Sequence, residues 1–226
     1  LNRSARGAVT VAFVLMLGTG CGGGSSEENV LKSQFFAEAT AVGSKGTGVG
    51  QFNKPRSLSV GGEDDVFVVD MTGRVQRFDA NGAYLNFWQM PETERGRPKG
   101  MGFDRDGHVI VVEPHYARVN HFTPEGELVR QWGWNGREPG QLAFPRSVGI
   151  HSSGDLFVTE FQQVERVQRF RYQSSEFIAS FGTAGSDAGQ FNRPEGIGID
   201  DRDRLFVADS CNHRVQVFDD AGHPLR

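Results

Sequence analysis

Between Asp209 and Arg214 the sequence "DSCNHR" sets an acid, a cysteine, an asparagine, a histidine and an arginine side by side. Those types could ligate a metal, pair a nucleophile with a base, or form an ion pair inside a fold. Spacing along the rest of the chain decides between these. A zinc site needs three or four converging ligands, yet Cys211 and His213 have no counterparts of their own type in the related segments, and the nearest histidine, His115, follows Glu113 and Pro114. His108, His151 and His223 sit in turn-like contexts, "RDGH", "IHSSG" and "AGH". Asp209, by contrast, corresponds to Asp70, Glu113 and Glu160, and each acid is followed by an arginine, at Arg74, Arg118, Arg166 and Arg214. A catalytic group is needed once, whereas a structural device is needed in every repeat. The acid and arginine are therefore expected to pair across a turn and hold up the fold, with no metal and no cofactor. No Gly-x-Ser-x-Gly elbow, His-Glu-x-x-His helix or phosphate-binding glycine loop is present.

The elements that carry these pairs repeat. Four segments align, opening at Pro55, Pro98, Pro145 and Pro194 and sharing an Arg-Val pair and a phenylalanine at Phe78, Phe122, Phe170 and Phe218. The repeats fall 44, 48 and 48 residues apart. In the first, short apolar or alternating runs cover Ser57–Val60, Val66–Val69, Arg74–Phe78 and Ala83–Trp88, separated by Gly, Asp and Asn. Val, Ile and Phe in such runs with those separators are strand and turn chemistry. Four strands per repeat of this length is the period of a propeller blade. The predicted fold is all-β, a β-propeller of four-stranded antiparallel blades at about residues 50–90, 96–133, 139–182 and 189–226 of a domain spanning 43–226.

The pattern "GQFNRPEGIGI…LFVADSCNHRVQVFD" resembles the NHL repeat, whose Asn-His-Leu triplet is echoed by Asn212, His213 and Arg214. That family usually closes with six blades, so the resemblance implies a fragment of a six-bladed ring with two blades beyond the visible four. The last repeat stops at "GHPLR", where its fourth strand should begin. The stretch "VLKSQFFAEA", Val30 to Ala39, is expected to complete the closing blade as an outer strand. A true four-bladed ring, with this stretch beside Arg214–Phe218, is the competing arrangement.

At the other end, Arg3 and Arg6 precede the apolar run "AVTVAFVLML", which is too short to span a bilayer and has the make-up of an export signal. The following "LGTGC" resembles the lipobox of bacterial lipoproteins, although Gly18 stands where Leu is usual. Residues 1–21 are read as a lipoprotein-type signal with Cys21 as the lipidated residue, and 22–42 as a tether plus the closing strand. The resemblance implies a chain exported to the bacterial cell envelope, on the periplasmic face of the outer membrane in a Gram-negative host, and held there only by its lipid. Beyond Cys21 the one remaining cysteine is Cys211, so stability must come from packing without an intramolecular disulfide. The formal charge of −4 argues against nucleic acid as a partner.

Function is expected at the residue after each opening proline, Arg56, Lys99, Arg146 and Glu195. Innermost strands start there, so the four side chains should meet at one mouth of the central channel. Three cations and one anion suit an anionic small molecule or an acidic segment of a partner protein. Propellers of the peptide-amidating and streptogramin lyases look similar. In the amidating lyases the resemblance implies zinc-binding histidines in this slot, and here none is present. A non-enzymatic binding or scaffold propeller is the leading expectation. The alternative is a lyase-type enzyme whose site is completed by further blades.

Overall fold

A computed structural model describes residues 41–225; Cys21 and the stretch from Val30 to Ala39 lie outside the described residues. The chain divides into two compact units between Phe52 and Asn53. In the first, Ser44–Lys45 pairs in parallel with Gln51–Phe52.

The second unit is a β-propeller. Its first blade runs from the innermost strand outward as Pro55–Val60, Val66–Asp70, Arg74–Phe78 and Tyr84–Gln89. The second blade repeats this order with Gly100–Phe103, Val109–Glu113, Arg118–Phe122 and Leu128–Trp132. The third is Pro145–Ile150, Leu156–Glu160, Arg166–Phe170 and Phe177–Phe181. The fourth has three strands, Pro194–Ile199, Leu205–Asp209 and Arg214–Phe218. Its fourth position is begun by a bridge between Phe218 and Pro224 and by the Leu225 amide donating to the Val217 carbonyl. All neighbouring strands within a blade are antiparallel. Among the described residues no helix is long and apolar enough to cross a membrane.

Sequence explains how the blades stack. Second strands such as Val66–Asp70 and Leu156–Glu160 are buried along their whole length, so they are largely apolar runs ended by an acid. Innermost strands alternate instead. Met101, Val148 and Ile197 share one position, and Phe103, Ile150 and Ile199 share another, with glycine between them. The bulky residues point back at the preceding blade: Met101 joins Phe67, Val69 and Val75 of the first blade in one core, and Val148 joins Ile110 and Val112 of the second in another. The small residues leave room for this. A side chain at Gly100 would lie 2.5 Å from the Arg146 carbonyl, and one at Gly102 would meet Val148 at 3.2 Å. Glycine is required there for close strand approach. Phe67 and Phe103 close the first junction edge to face, with centroids 5.2 Å apart.

Candidate functional site

Each blade ends its second strand in a buried acid, and those acids build the site indirectly. Asp70, Glu113, Glu160 and Asp209 are all essentially inaccessible to solvent. Each meets the arginine that the sequence pairs with it: Arg74 at 3.4 Å, Arg118 at 2.6 Å, Arg166 at 2.7 Å and Arg214 at 2.8 Å. Side-chain amides add to the set, with Asn120 donating to Glu113, Gln168 to Glu160 and Gln216 to Asp209. The "DSCNHR" cluster is thus scaffold at its acid and arginine. Asn212 also donates to Asp209, Cys211 is exposed, and His213 closes a short 3-10 turn in the left-handed conformation. Among the described residues no three His, Cys, Asp or Glu side chains gather as metal ligands.

In three blades the buried acid also accepts a backbone amide two residues before the opening proline. Asn53 donates to Asp70 at 3.0 Å, Asn192 to Asp209 at 2.7 Å, and Ala143 to Glu160. The residue between that amide and the proline then takes a positive φ, 51° at Lys54, 53° at Phe144 and 65° at Arg193. A non-glycine residue in this region is strained and persists only where its surroundings hold it. The acid supplies that hold, and the next residue after the proline is the site residue: Arg56, Arg146 or Glu195. The second blade lacks the amide, leaving Glu113 Oε1 buried without a partner.

Pro55, Pro145 and Pro194 lie opposite Asp70, Glu160 and Asp209 in the strand ladders, so the site residues all start at one end of the propeller. Adjacent innermost strands pack against one another from the first blade to the fourth. Arg56 is exposed, and Lys99, Arg146 and Glu195 are half-buried. The Lys99 ammonium is held below its ordinary range by burial and then by the charges of Arg56 and Arg146, against the opposing pull of Glu195. Arg146 is shifted down by burial as well, with Glu195 opposing and Arg193 and Arg56 adding to the shift. Lys99 and Arg146 therefore both lie within the fields of Arg56 and Glu195.

Several arginines of the third strands are paired with acids. Arg74, Arg77, Arg118, Arg166, Arg169 and Arg214 each have a carboxylate partner. Arg56, Lys99 and Arg146 form no ion pair among the described residues, and Arg146 Nε is buried without a hydrogen-bond partner. Glu195 is engaged by Arg193 at 2.8 Å. Arg146 lies over the Phe161 ring at 3.9 Å, with Arg193 over the same ring at 5.1 Å. A terminal nitrogen of Arg56 contacts the Met71 sulfur. Arg193, Phe161 and Met71 were not among the residues expected from sequence. Their signal is positional: Met71 and Phe161 follow the buried acid directly, and Arg193 precedes the opening proline.

Residues 191–218 match the NHL repeat. Protein brain tumor of Drosophila melanogaster is 30% identical over 91 residues, covering 40% of this chain and 9% of that protein. Human NHL repeat-containing protein 3 is 34% identical over 101 residues, covering 43% of this chain and 29% of that protein. Among solved structures, virginiamycin B lyase from Staphylococcus aureus superposes with a TM-score of 0.57 at 18% identity, over 74% of this chain and 53% of that one. A gluconolactonase from Xanthomonas campestris gives a TM-score of 0.57 at 15% identity, over 76% and 60%. The chain spans under two thirds of each of these proteins, and identities this low speak to the fold. The repeated blades, the matched segment and these relatives agree that this chain carries the NHL repeat on a β-propeller.

Proposed function

We propose that this chain is a binding propeller of the bacterial cell envelope that offers the Arg56–Lys99–Arg146 end of its channel to an anionic small molecule or to an acidic segment of a partner protein. The observation that carries the reading is the cationic group itself. Arg56, Lys99 and Arg146 converge beside Glu195 without forming an ion pair among the described residues, and Lys99 is depressed by burial and then by the charges of Arg56 and Arg146. Like charges held together in a partly buried place are relieved by a bound anion. The Arg146 guanidinium stacks on Phe161, and a stacked guanidinium is a group suited to planar recognition of a carboxylate or phosphate. A lyase-type enzyme completed by further blades is the second reading, and it draws only on the likeness in fold to virginiamycin B lyase.

Titration with citrate and with a short acidic peptide tests the site calorimetrically. Binding is expected to weaken as salt rises, since charges are screened over about 8 Å at physiological ionic strength. The double variant Arg56→Glu with Arg146→Glu is expected to abolish binding while leaving the circular dichroism spectrum unchanged. If the double variant binds both probes as the wild type does, the channel mouth is not the site.

The envelope location is proposed from Cys21 in its lipobox-like context. Metabolic labelling with a palmitate analogue should mark the wild type and leave Cys21→Ser unlabelled. Equal labelling of both would remove the anchor from the proposal.

A further inference from the structure

We propose that residues 94–97, at the top of the second blade, form a strap with an open and a closed position, and that its closure regulates the channel-mouth site. The regulatory half rests on the anion-binding reading above. In the first, third and fourth blades the opening proline lies opposite the buried acid and starts the innermost strand. In the second blade that strand starts only at Gly100, opposite Val112, and Pro98 is not paired with Glu113. The third and fourth blades also use the carbonyl four residues before the proline: Arg166 donates to Gln141 and Arg214 to Gln190, each at 3.0 Å. By the same spacing the second blade would use the Glu94 carbonyl for Arg118 and the Gly96 amide for Glu113. Instead, Glu113 Oε1 and Arg118 Nη2 are both buried without a hydrogen-bond partner among the described residues. The Arg95 amide donates to the Tyr116 hydroxyl at 3.0 Å, and the Arg118 guanidinium lies over the Tyr116 ring at 4.3 Å. The strap is thus held open by Tyr116.

Opposing terms of similar size make it poised. Closure would give both buried atoms a partner, and such groups are costly to leave unpaired. Against this, the strap would lose its bond to Tyr116, and Arg97 would have to enter the left-handed backbone region. Lys54, Phe144 and Arg193 are held there in the other blades, whereas Arg97 keeps a negative φ; that conformation is strained for any residue but glycine. The Lys99 amide already donates to the Val112 carbonyl at 2.9 Å, so the movement is confined to the residues before it, with Pro98 as the joint. Closure would extend the ladder to Pro98 and fix Lys99 in line with Arg56, Arg146 and Glu195. An anion that engages Lys99 together with Arg56 and Arg146 binds the closed position better, so anion and strap favour each other.

Two substitutions of one residue test this. Arg97→Gly relieves the left-handed strain of the closed position, and Arg97→Val deepens it, while both remove the same charge. Hydrogen exchange at the Gly96 amide reads closure with no anion present, and it should be roughly fivefold slower in Arg97→Gly than in Arg97→Val. Calorimetry should then show citrate binding about fivefold tighter to Arg97→Gly than to Arg97→Val. Tyr116→Phe, which releases the open strap, should bind citrate more tightly than the wild type. Citrate should also slow Gly96 exchange in the wild type. Equal Gly96 exchange in the two Arg97 variants overturns the strap, whether or not citrate binds. Unequal exchange with equal citrate affinities overturns the regulation. If citrate binds none of these proteins, the anion site and its regulation both fall, and Gly96 exchange alone decides whether the strap stands.

Discussion

Glu160→Ala is expected to lower the unfolding free energy by about 3–5 kcal/mol, the range for removing one partner of a buried ion pair. Glu160 is wholly buried and accepts from Arg166 at 2.7 Å, from Gln168 at 2.6 Å and from the Ala143 amide. Burial pushes its carboxyl up, against the pull of Arg166, the Ala143 amide and Gln168. Arg166 keeps the carbonyls of Arg137, Glu138 and Gln141 after the substitution, but it loses its counter-charge. The Ala143 amide loses its anchor too, which frees the strained turn at Phe144 and with it the position of Arg146. Urea midpoints measure the first effect, and anion binding by the folded variant measures the second. The same change in the second blade, Glu113→Ala, is expected to cost about half as much, because Glu113 has no backbone amide and one of its oxygens is already unpartnered. A loss below about 1 kcal/mol for Glu160→Ala would place the acid–arginine pairs among weak surface interactions.

The blades were legible because the physics that builds one builds four. Strand runs, turn residues and the acid–arginine spacing recur, so each repeat checks the others, and the strand bounds of the first blade lie within two residues of those read in sequence. Convergence of Arg56, Lys99, Arg146 and Glu195 followed from the same repetition, since equivalent positions on innermost strands share one end of a propeller. What stayed hidden was conformational or broke the pattern. Nothing in the identities of Lys54, Phe144 and Arg193 announces a left-handed backbone, because that conformation is imposed by a bond to an acid 16 or 17 residues away in sequence. The alternation of bulky and small residues on innermost strands is written plainly in the sequence, but its meaning as insert and socket needs the neighbouring blade.

The second blade shows a further break in pattern. In the first and third blades Arg77 and Arg169 reach Asp65 and Asp155, the acids just before the second strand. The second blade has His121 in the arginine slot and His108 in the acid slot, and the acid comes instead from Asp104 at the end of the innermost strand. A histidine that replaces arginine in a repeated pair is a signal for a relocated partner, and reading each histidine against its equivalents would have found it.

That site yields the second large effect. Asp104 is buried and accepts from the Asp106 amide at 3.0 Å, the His108 amide at 2.9 Å, His108 Nδ1 at 3.0 Å and His121 Nδ1 at 2.8 Å. Asp104→Ala orphans all of these and is expected to cost about 3–5 kcal/mol. Burial works against the Asp104 charge, yet the bonds from His121 and His108 outweigh it and hold the carboxyl below its ordinary range. His121 is shifted down, by burial first, with Arg130 and His108 adding to the shift and Asp104 opposing it. Its Nδ1 donates to Asp104, while Nε2 accepts from Trp132 Nε1 at 3.1 Å and from Arg130 at 3.0 Å, which leaves no place for a second proton. The sign of the pH dependence follows. Above about pH 6.5 the imidazole is neutral both folded and unfolded, and its contribution to stability is fully present. As pH falls below that, the unfolded chain takes a proton that the folded chain refuses, so stability drops until the folded ring itself titrates. His121→Gln retains an acceptor for Trp132 and a donor for Asp104 but cannot titrate, so it should flatten the fall in urea midpoint between about pH 7 and pH 5. If the glutamine variant keeps the wild-type slope, the acid sensitivity arises elsewhere and the buried ring is a passive spacer.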